Sequence, residues 1–428
     1  MNIYIETYGC SANQNNGEIM AGLLSRNGLI IVNNEKIADI CILNSCIVKG
    51  PTLQKMLSRI KRLSKKKLIV AGCMPDIFSK KILQIAPKAS LVGSHHVNEI
   101  VRAVKAIMER KQVSLISKQP EIHLCHPKNY KNKVIGITQI SEGCLGDCSY
   151  CTVKFVKGNL NSYPQEDIIK NIQNDIESGC REIWLTSQDC SAYGLDRPSN
   201  KIFLPELLKK ILAIKGKFLV RLGMSNPNHI LPILKELTEI YKNKKMLKFL
   251  HIPLQSGSDK ILKGMNRKYD VNEFKKIINS FRKEISGITI STDIIVGFPG
   301  ETDEDFNKTL SLIKEIKPDV MNISRFWPMP GTRAAEMKLI NQKKIMERTD
   351  ELMKLHNQLS LAINQSFIGK EMKVFVDENR EGLIVARDSA YRFVILKGDK
   401  SLLGKTVNVK IVGADSHHLI GEITPLPL

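Results

Sequence analysis

The sequence predicts a three-part α/β chain: an open parallel sheet with helices on its faces, a partial (β/α)6 barrel, and a small all-β barrel. Three observations carry this. Runs of β-branched residues alternate with helical stretches as far as residue 364, the alternation lapses once over residues 111–133, and residues 365–428 hold only short strand-like runs separated by turn residues. At 428 residues the chain is long enough for two or three domains with cores of their own.

In residues 1–110 the runs NIYIETYG, ADICILN and KLIVAG each precede a turn and a helical stretch, such as NGEIMAGLLSRNG or PTLQKMLSRIKRL. LVG near residue 92 supplies a fourth strand before the helix VNEIVRAVKAIMERK. Strands and helices in strict alternation imply a parallel sheet. Residues 111–133 lose periodicity and read as a linker. Residues 134–364 hold a second series: VIGITQI, EIWLTS, FLVRLGM, KFLHIPL, ITISTDIIVGF and VMNISRF, with amphipathic helices such as PQEDIIKNIQNDIESG between them. Six such units fall short of a closed eight-fold barrel. Right-handed crossovers put every strand's carboxyl end on one rim. A helical stretch over residues 334–365 leads out. The runs EMKVFVDE, EGLIVARD, YRFVILKG, TVNVKIVGA and HLIGEIT then make a five-stranded barrel, either of the kind that binds oligonucleotides or a plain structural cap.

The net charge of +21 suggests a polyanionic partner such as nucleic acid, or reflects a composition rich in Lys, Ile and Asn. The excess lies in the first two segments, including Lys65, Lys66 and Lys67, while the last segment is near neutral. The amino terminus carries Glu6 and is no secretory signal. No apolar run reaches membrane-spanning length; STDIIVGFPG is broken by Asp293. A soluble cytoplasmic protein without a membrane partner is expected. GFPGET lacks the lysine and spacing of a phosphate-binding loop, which excludes nucleoside triphosphate binding there. Its Glu301, Thr302 and Asp303 start a helix instead.

Ten cysteines in such a chain point to metal ligation or a catalytic thiol rather than disulfides. Cys41, Cys125, Cys180 and Cys190 have no ligand-like spacing and read as buried, inert residues. Cys10, Cys46 and Cys73 each follow a predicted parallel strand, where open α/β sheets place their ligands. In GCLGDCSYC, Cys144, Cys148 and Cys151 occupy the loop after the first barrel strand. Three thiolates in a C-x3-C-x2-C loop can hold three irons of a cubane and leave the fourth open, with Gly143 and Gly146 letting the backbone wrap it. The alternative is zinc with a distant fourth ligand such as His251 or Cys190.

This loop resembles the cluster motif of the radical S-adenosylmethionine enzymes, in which the open iron chelates the cofactor. Over essentially the whole chain the resemblance is to the methylthiotransferases, carried by ETYGCSANQNNGE, NSCIVKGPTLQKM, VAGCMPD, LTSQDCSAYG, HIPLQSGSDKILKGMNRKY, DIIVGFPGETDEDF and PMPGTRAAEM. The terminal β-module is similar to their TRAM domain. The resemblance implies an auxiliary [4Fe–4S] cluster on Cys10, Cys46 and Cys73, and a radical [4Fe–4S] cluster on Cys144, Cys148 and Cys151. One S-adenosylmethionine would methylate a sulfur at the auxiliary cluster and a second would yield the 5′-deoxyadenosyl radical. Tyr150, Ser187, Gln188, Arg221 and Gln255 are the candidate cofactor-binding residues, Arg221 for the cofactor carboxylate or as a structural arginine.

The wording of ETYGC, NSCIVK and SYP looks most like the archaeal and eukaryotic branch, which acts on N6-threonylcarbamoyladenosine beside the tRNA anticodon. The partners implied are tRNA, an electron donor and a sulfur donor, not DNA. Met329 and Lys157 stand where the motif more often has arginine and are expected near the substrate approach. Other readings are methylthiolation of isopentenyladenosine or of a ribosomal protein aspartate, and a non-catalytic iron–sulfur RNA-binding protein.

Overall fold

The computed structural model describes residues 1–47, 50–117, 119–380 and 383–424; Val48 and Lys49 of the NSCIVKG motif, and Glu381 and Gly382 of EGLIVARD, lie outside them. β1 (Asn2–Thr7), β2 (Ile30–Val32), β3 (Ile40–Ser45), β4 (Lys67–Gly72), β5 (Ser90–Gly93) and β6 (Ser114–Leu115) form one sheet in the order β2-β1-β3-β4-β5-β6. Every pair in it is parallel. The sheet thus has six strands where the sequence suggested four. β2 and β6 are three and two residues long, too short for a periodic signal. β6 comes from the stretch read as linker and pairs with β5 through Leu91 and Val92.

Helices cover both faces of this sheet, as a parallel sheet requires. Cys41 and Leu43 of β3 pack with Met56 and Ile60 of α2 (Gly50–Leu63) and Ile82 of α3 (Cys73–Ile85). The alternate residues Ile40 and Ile42 pack with Ile19 and Leu24 of α1 (Ser11–Arg26) and Val104 of α4 (Ile100–Met108). α1 begins immediately after Cys10, earlier than the helical stretch read from the sequence. Its polar opening reads as a turn, yet Asn13, Asn15 and Asn16 are buried, and at the junction with the barrel Gln139 Nε2 donates to Asn16 Oδ1 at 2.7 Å. Tertiary packing here overrides local propensity.

The second unit contains β7 (Ile135–Gln139), the antiparallel pair β8 (Ser141–Glu142) and β9 (Asn161–Ser162), then β10 (Glu182–Thr186), β11 (Leu219–Leu222), β12 (Phe249–His251), β13 (Thr289–Val296) and β14 (Val320–Arg325). The six parallel strands run β7-β10-β11 and β12-β13-β14, joined by a parallel bridge between Val220 and Met246. Ile183, Leu185, Val220 and Leu222 face the surrounding helices in one large core. Their neighbours Trp184, Arg221 and Phe249 face the other way, into the lumen. The helix Gln342–Gln365 leads out.

β15 (Glu371–Arg380), β16 (Leu383–Arg387), β17 (Phe393–Lys397), β18 (Thr406–Ala414) and β19 (Leu419–Ile423) close into a barrel in the order β15-β16-β17-β19-β18. It packs on the amino-terminal ends of the (β/α)6 strands. Phe375 meets Val134 and Ile135, and Tyr391 meets Leu247 and Phe249. Its place is therefore opposite the rim that carries the cysteine loops. Among the described residues no helix is long and apolar enough to cross a membrane.

Candidate functional site

Cys10 caps α1 just beyond β1, Cys46 follows β3, and Cys73 opens α3 directly after β4. β1 and β3 flank the point where the strand order reverses, the usual ligand crevice of such a sheet. Gly9 has φ +112°, and a Cβ there would lie 2.8 Å from Cys46 Cβ and 2.9 Å from its Sγ. Only glycine lets the chain at Cys10 pass this close to Cys46. Burial pushes the Cys73 thiol up, Lys157 opposes that, and Cys10 and Cys46 push it further up. The three thiols thus lie in one another's field.

Cys144, Cys148 and Cys151 are partly exposed in the loop after β8. Other segments clamp this loop. The Cys144 N–H donates to Gly158 O at 3.2 Å, the Ser149 N–H to Met265 O at 3.1 Å, and Ser149 Oγ to Gly264 O at 2.9 Å. The Ala334 N–H donates to Ser149 O at 2.8 Å and Arg333 Nη2 to Asp147 O at 2.7 Å. The KGMNRKY and PGTRAAEM motifs are therefore the jaws that hold the cysteine loop. A Cβ on Gly146 would sit 3.2 Å from Cys144 Sγ and 3.7 Å from Cys148 Sγ, so the loop wraps its own thiols. Burial, then Cys148, pushes Cys151 up to about 12, and burial, then Asp189, pushes Cys144 up to about 11. A bound metal would favour the ionised form of these thiols.

The remaining candidates divide. The Tyr150 ring packs edge-on to Phe298, centroids 6.4 Å apart, beside Met265 and Ala334, and anchors the loop. Ser187 Oγ accepts from the Asp189 N–H at 3.1 Å at the end of β10. Gln188 and Gln255 each carry a buried Oε1 with no partner among the described residues. Gln255 also has φ +70° and bridges to Ile294 of β13. Arg221 does not join the cysteines. Its guanidinium lies 5.0 Å from the Trp184 ring, 4.8 Å from Phe249 and 4.9 Å from Tyr391 of the terminal barrel. Of its two readings, the structural one fits this aromatic cage.

Cys190 is buried against Ser187 and Leu185 O, and His251 Nε2 pairs with Asp293 at 2.9 Å, so both suggested fourth zinc ligands are engaged elsewhere. Cys41 and Cys180 are buried, but Cys125 is exposed, contrary to its reading as a core residue. Its segment lies across α6 (Gln165–Glu177), where the Cys125 N–H donates to Asn171 Oδ1 at 2.9 Å.

Met329 and Lys157 are not on an open approach either. Met329 is 4% exposed and packs with Met74 and Val156. Lys157, 7% exposed, ends α5 (Val153–Lys157), and its Nζ lies 2.5 Å from Glu142 Oε1. Glu142 Oε2 faces His95 Nδ1 at 3.2 Å and His123 Nε2 at 3.7 Å, and His95 Nε2 meets Val156 O at 3.1 Å. Burial pushes the Glu142 carboxyl up, but Lys157 and the two histidines outweigh it and hold it down at about 2. This buried network ties the first sheet domain to the barrel between the two sets of cysteines. Sequence reading missed it, and missed Arg267 beside Cys148, because no spacing rule links residues so far apart in the chain.

Two three-thiol sets with glycine cradles, and unpartnered amide oxygens beyond the ends of two barrel strands, fit two clusters and a polar cofactor. Among the described residues no three cysteine, histidine or acidic side chains are gathered closely enough for a single metal ion. Thiols that serve different irons of one cube stand further apart. Fold and site together define a radical S-adenosylmethionine protein with an added amino-terminal sheet and a terminal β-barrel. Residues 138–313 match the Radical SAM superfamily, residues 2–93 an uncharacterized protein family, UPF0004, and residues 365–424 the TRAM domain.

A probable threonylcarbamoyladenosine tRNA methylthiotransferase of Pyrococcus abyssi is 41% identical, covering 98% of this chain and 99% of its own. The human threonylcarbamoyladenosine tRNA methylthiotransferase is 36% identical over 98% of this chain and 73% of its own. The chain belongs to the threonylcarbamoyladenosine tRNA methylthiotransferase family. In fold it is similar to TsrM, a radical S-adenosylmethionine methyltransferase from Kitasatospora setae, with a TM-score of 0.56 at 11% identity, covering 78% of this chain and 74% of that one.

Proposed function

We propose that this chain is a radical methylthiotransferase that converts N6-threonylcarbamoyladenosine beside the tRNA anticodon to its 2-methylthio derivative. The observation that carries the reading is the pairing of two three-thiol rims across one buried seam, in a chain whose relatives carry that activity in their names. Cys10, Cys46 and Cys73 would hold the auxiliary cluster, and Cys144, Cys148 and Cys151 the radical one. When bound, the clusters and S-adenosylmethionine supply the sulfur, the methyl group and the radical that an unactivated aromatic C–H requires.

The protein's own residues bind, orient and exclude water. The clamps on Ser149 and Asp147 fix the radical loop against the barrel. Tyr150 wedges that loop into the apolar cluster of Phe298 and Phe326. Ser187, Gln188 and Gln255 offer the cofactor polar atoms at the strand ends, and the terminal barrel closes the opposite end of the lumen against water. The net charge of +21 suits a tRNA backbone. An electron donor and a sulfur donor complete the cycle, and a cytoplasmic location suits a tRNA substrate.

Mass spectrometry of tRNA nucleosides from a deletion strain tests this. The 2-methylthio nucleoside should vanish while its threonylcarbamoyl precursor accumulates. An undiminished 2-methylthio signal would rule out the tRNA reading.

A further inference from the structure

Arg333 grips the backbone of the cysteine loop, but a different arginine reaches one of its thiols. Arg267, in the KGMNRKY jaw, places Nη1 3.3 Å from Cys148 Sγ. The guanidinium is held on its other edges. Nε donates to Tyr269 Oη at 3.1 Å, the Tyr269 ring lies 5.0 Å from the charge, and Nη2 donates to Asn226 Oδ1. Each of these partners is itself fixed. Tyr269 Oη lies 2.8 Å from both Pro253 O and Leu254 O. Asn226 Nδ2 donates to Asp189 Oδ2 at 2.8 Å, and Asp189 also holds Ser191 Oγ at 2.6 Å and His229 Nδ1 at 2.7 Å. A planar fork locked on three sides cannot be replaced by the single point of an ammonium. Of the three N–H bonds that remain, one on Nη1 is directed at the sulfur.

We infer that Arg267 is a positioning residue that donates a charge-assisted N–H···S bond to Cys148 and so sets the reduction potential of the cluster held there. The inference rests on the assignment of Cys144, Cys148 and Cys151 to a cluster. The physical reason is general. Reduction adds an electron to the cluster and its thiolates, and a nearby positive charge and N–H donor favour that more negative state. Arg267 would make the cluster easier to reduce without touching the cofactor or the substrate. A merely structural role, holding Asn226 and Tyr269 together, would leave the potential where it is.

The test uses the full chain with Cys10→Ala, Cys46→Ala and Cys73→Ala, so that a single cluster of about four irons remains. Anaerobically reconstituted protein is titrated with reductant and followed by electron paramagnetic resonance. Arg267→Met should lower the equilibrium constant for reduction at least tenfold, a shift of about 59 mV to more negative potential for one electron. Arg267→Lys, which keeps the charge and loses the fork, should fall between. A methionine variant with a full complement of iron that titrates within twofold of its parent overturns the inference. If that variant does not hold its cluster, the lysine variant decides, and a potential equal to the parent's overturns it as well. Absence of iron from the parent itself would instead bring down the cluster assignment and this inference with it, a failure distinct from an unmoved potential.

Discussion

Replacing Lys157 with methionine keeps the length of the side chain and removes its charge. Lys157 is 7% exposed and Glu142 1%, with 2.5 Å between Nζ and Oε1, so solvent cannot compensate the carboxylate left behind. Breaking a buried pair by removing one partner costs about 3–5 kcal/mol. His95 at 3.2 Å and His123 at 3.7 Å remain as partial partners, which places the expectation near the lower end, about 3 kcal/mol. The double variant Lys157→Met, Glu142→Gln removes both charges and should recover at least half of that loss. The assay is urea unfolding of the metal-free protein, followed by tryptophan fluorescence in a Trp327→Phe background that leaves Trp184 as the reporter. A single-variant loss below about 1 kcal/mol, or a double variant no more stable than the single, would refute the view of this pair as a buried, mutually dependent link.

Arg221→Met should destabilise the folded chain by about 2 kcal/mol, the scale of a desolvated cation–π contact. Reconstituted protein should still form 5′-deoxyadenosine; loss of that product at unchanged stability would return Arg221 to the cofactor. Gly9→Ala would drive a Cβ into Cys46 Sγ at 2.9 Å, and iron analysis should find about half the normal content, with full loading counting against the cradle. Burial, then Asp377, raises the Glu182 carboxyl to about 7. The folded state therefore holds a proton there that the unfolded state releases above about 4.5. Stability from this group is full below that pH and is lost as pH rises through about 7. Glu182→Gln should flatten the fall in urea midpoint over this window, and an unchanged slope would contradict the assignment.

Much of the architecture was legible because it repeats. Six β-branched runs in residues 134–364 became the six barrel strands, and the five terminal runs became the closed β-barrel. The cysteines were legible because each follows a strand, and strand ends of a parallel sheet share one edge. What stayed hidden depends on direction or on distant contacts. The direction of Arg221 on its strand was open in the sequence, and nothing there says that Tyr391 arrives from the terminal barrel to cage it. Lys157 and Met329 looked like substrate-facing departures because motif position carries no information on burial. Asn13 and Asn15 of α1 fell in the turn read before the helical stretch because their propensity argues against helix. The KGMNRKY motif was visible as a string, while its grip on Cys148 required the fold.

Iron counting with Mössbauer spectroscopy on anaerobically reconstituted protein bears most directly on the two three-thiol rims. The intact chain should hold about eight irons as two [4Fe–4S] clusters. Replacing Cys10, Cys46 and Cys73 together, or Cys144, Cys148 and Cys151 together, by alanine should leave about four in each case. Zinc at either rim, or a triple variant that keeps the full iron content, would contradict the account.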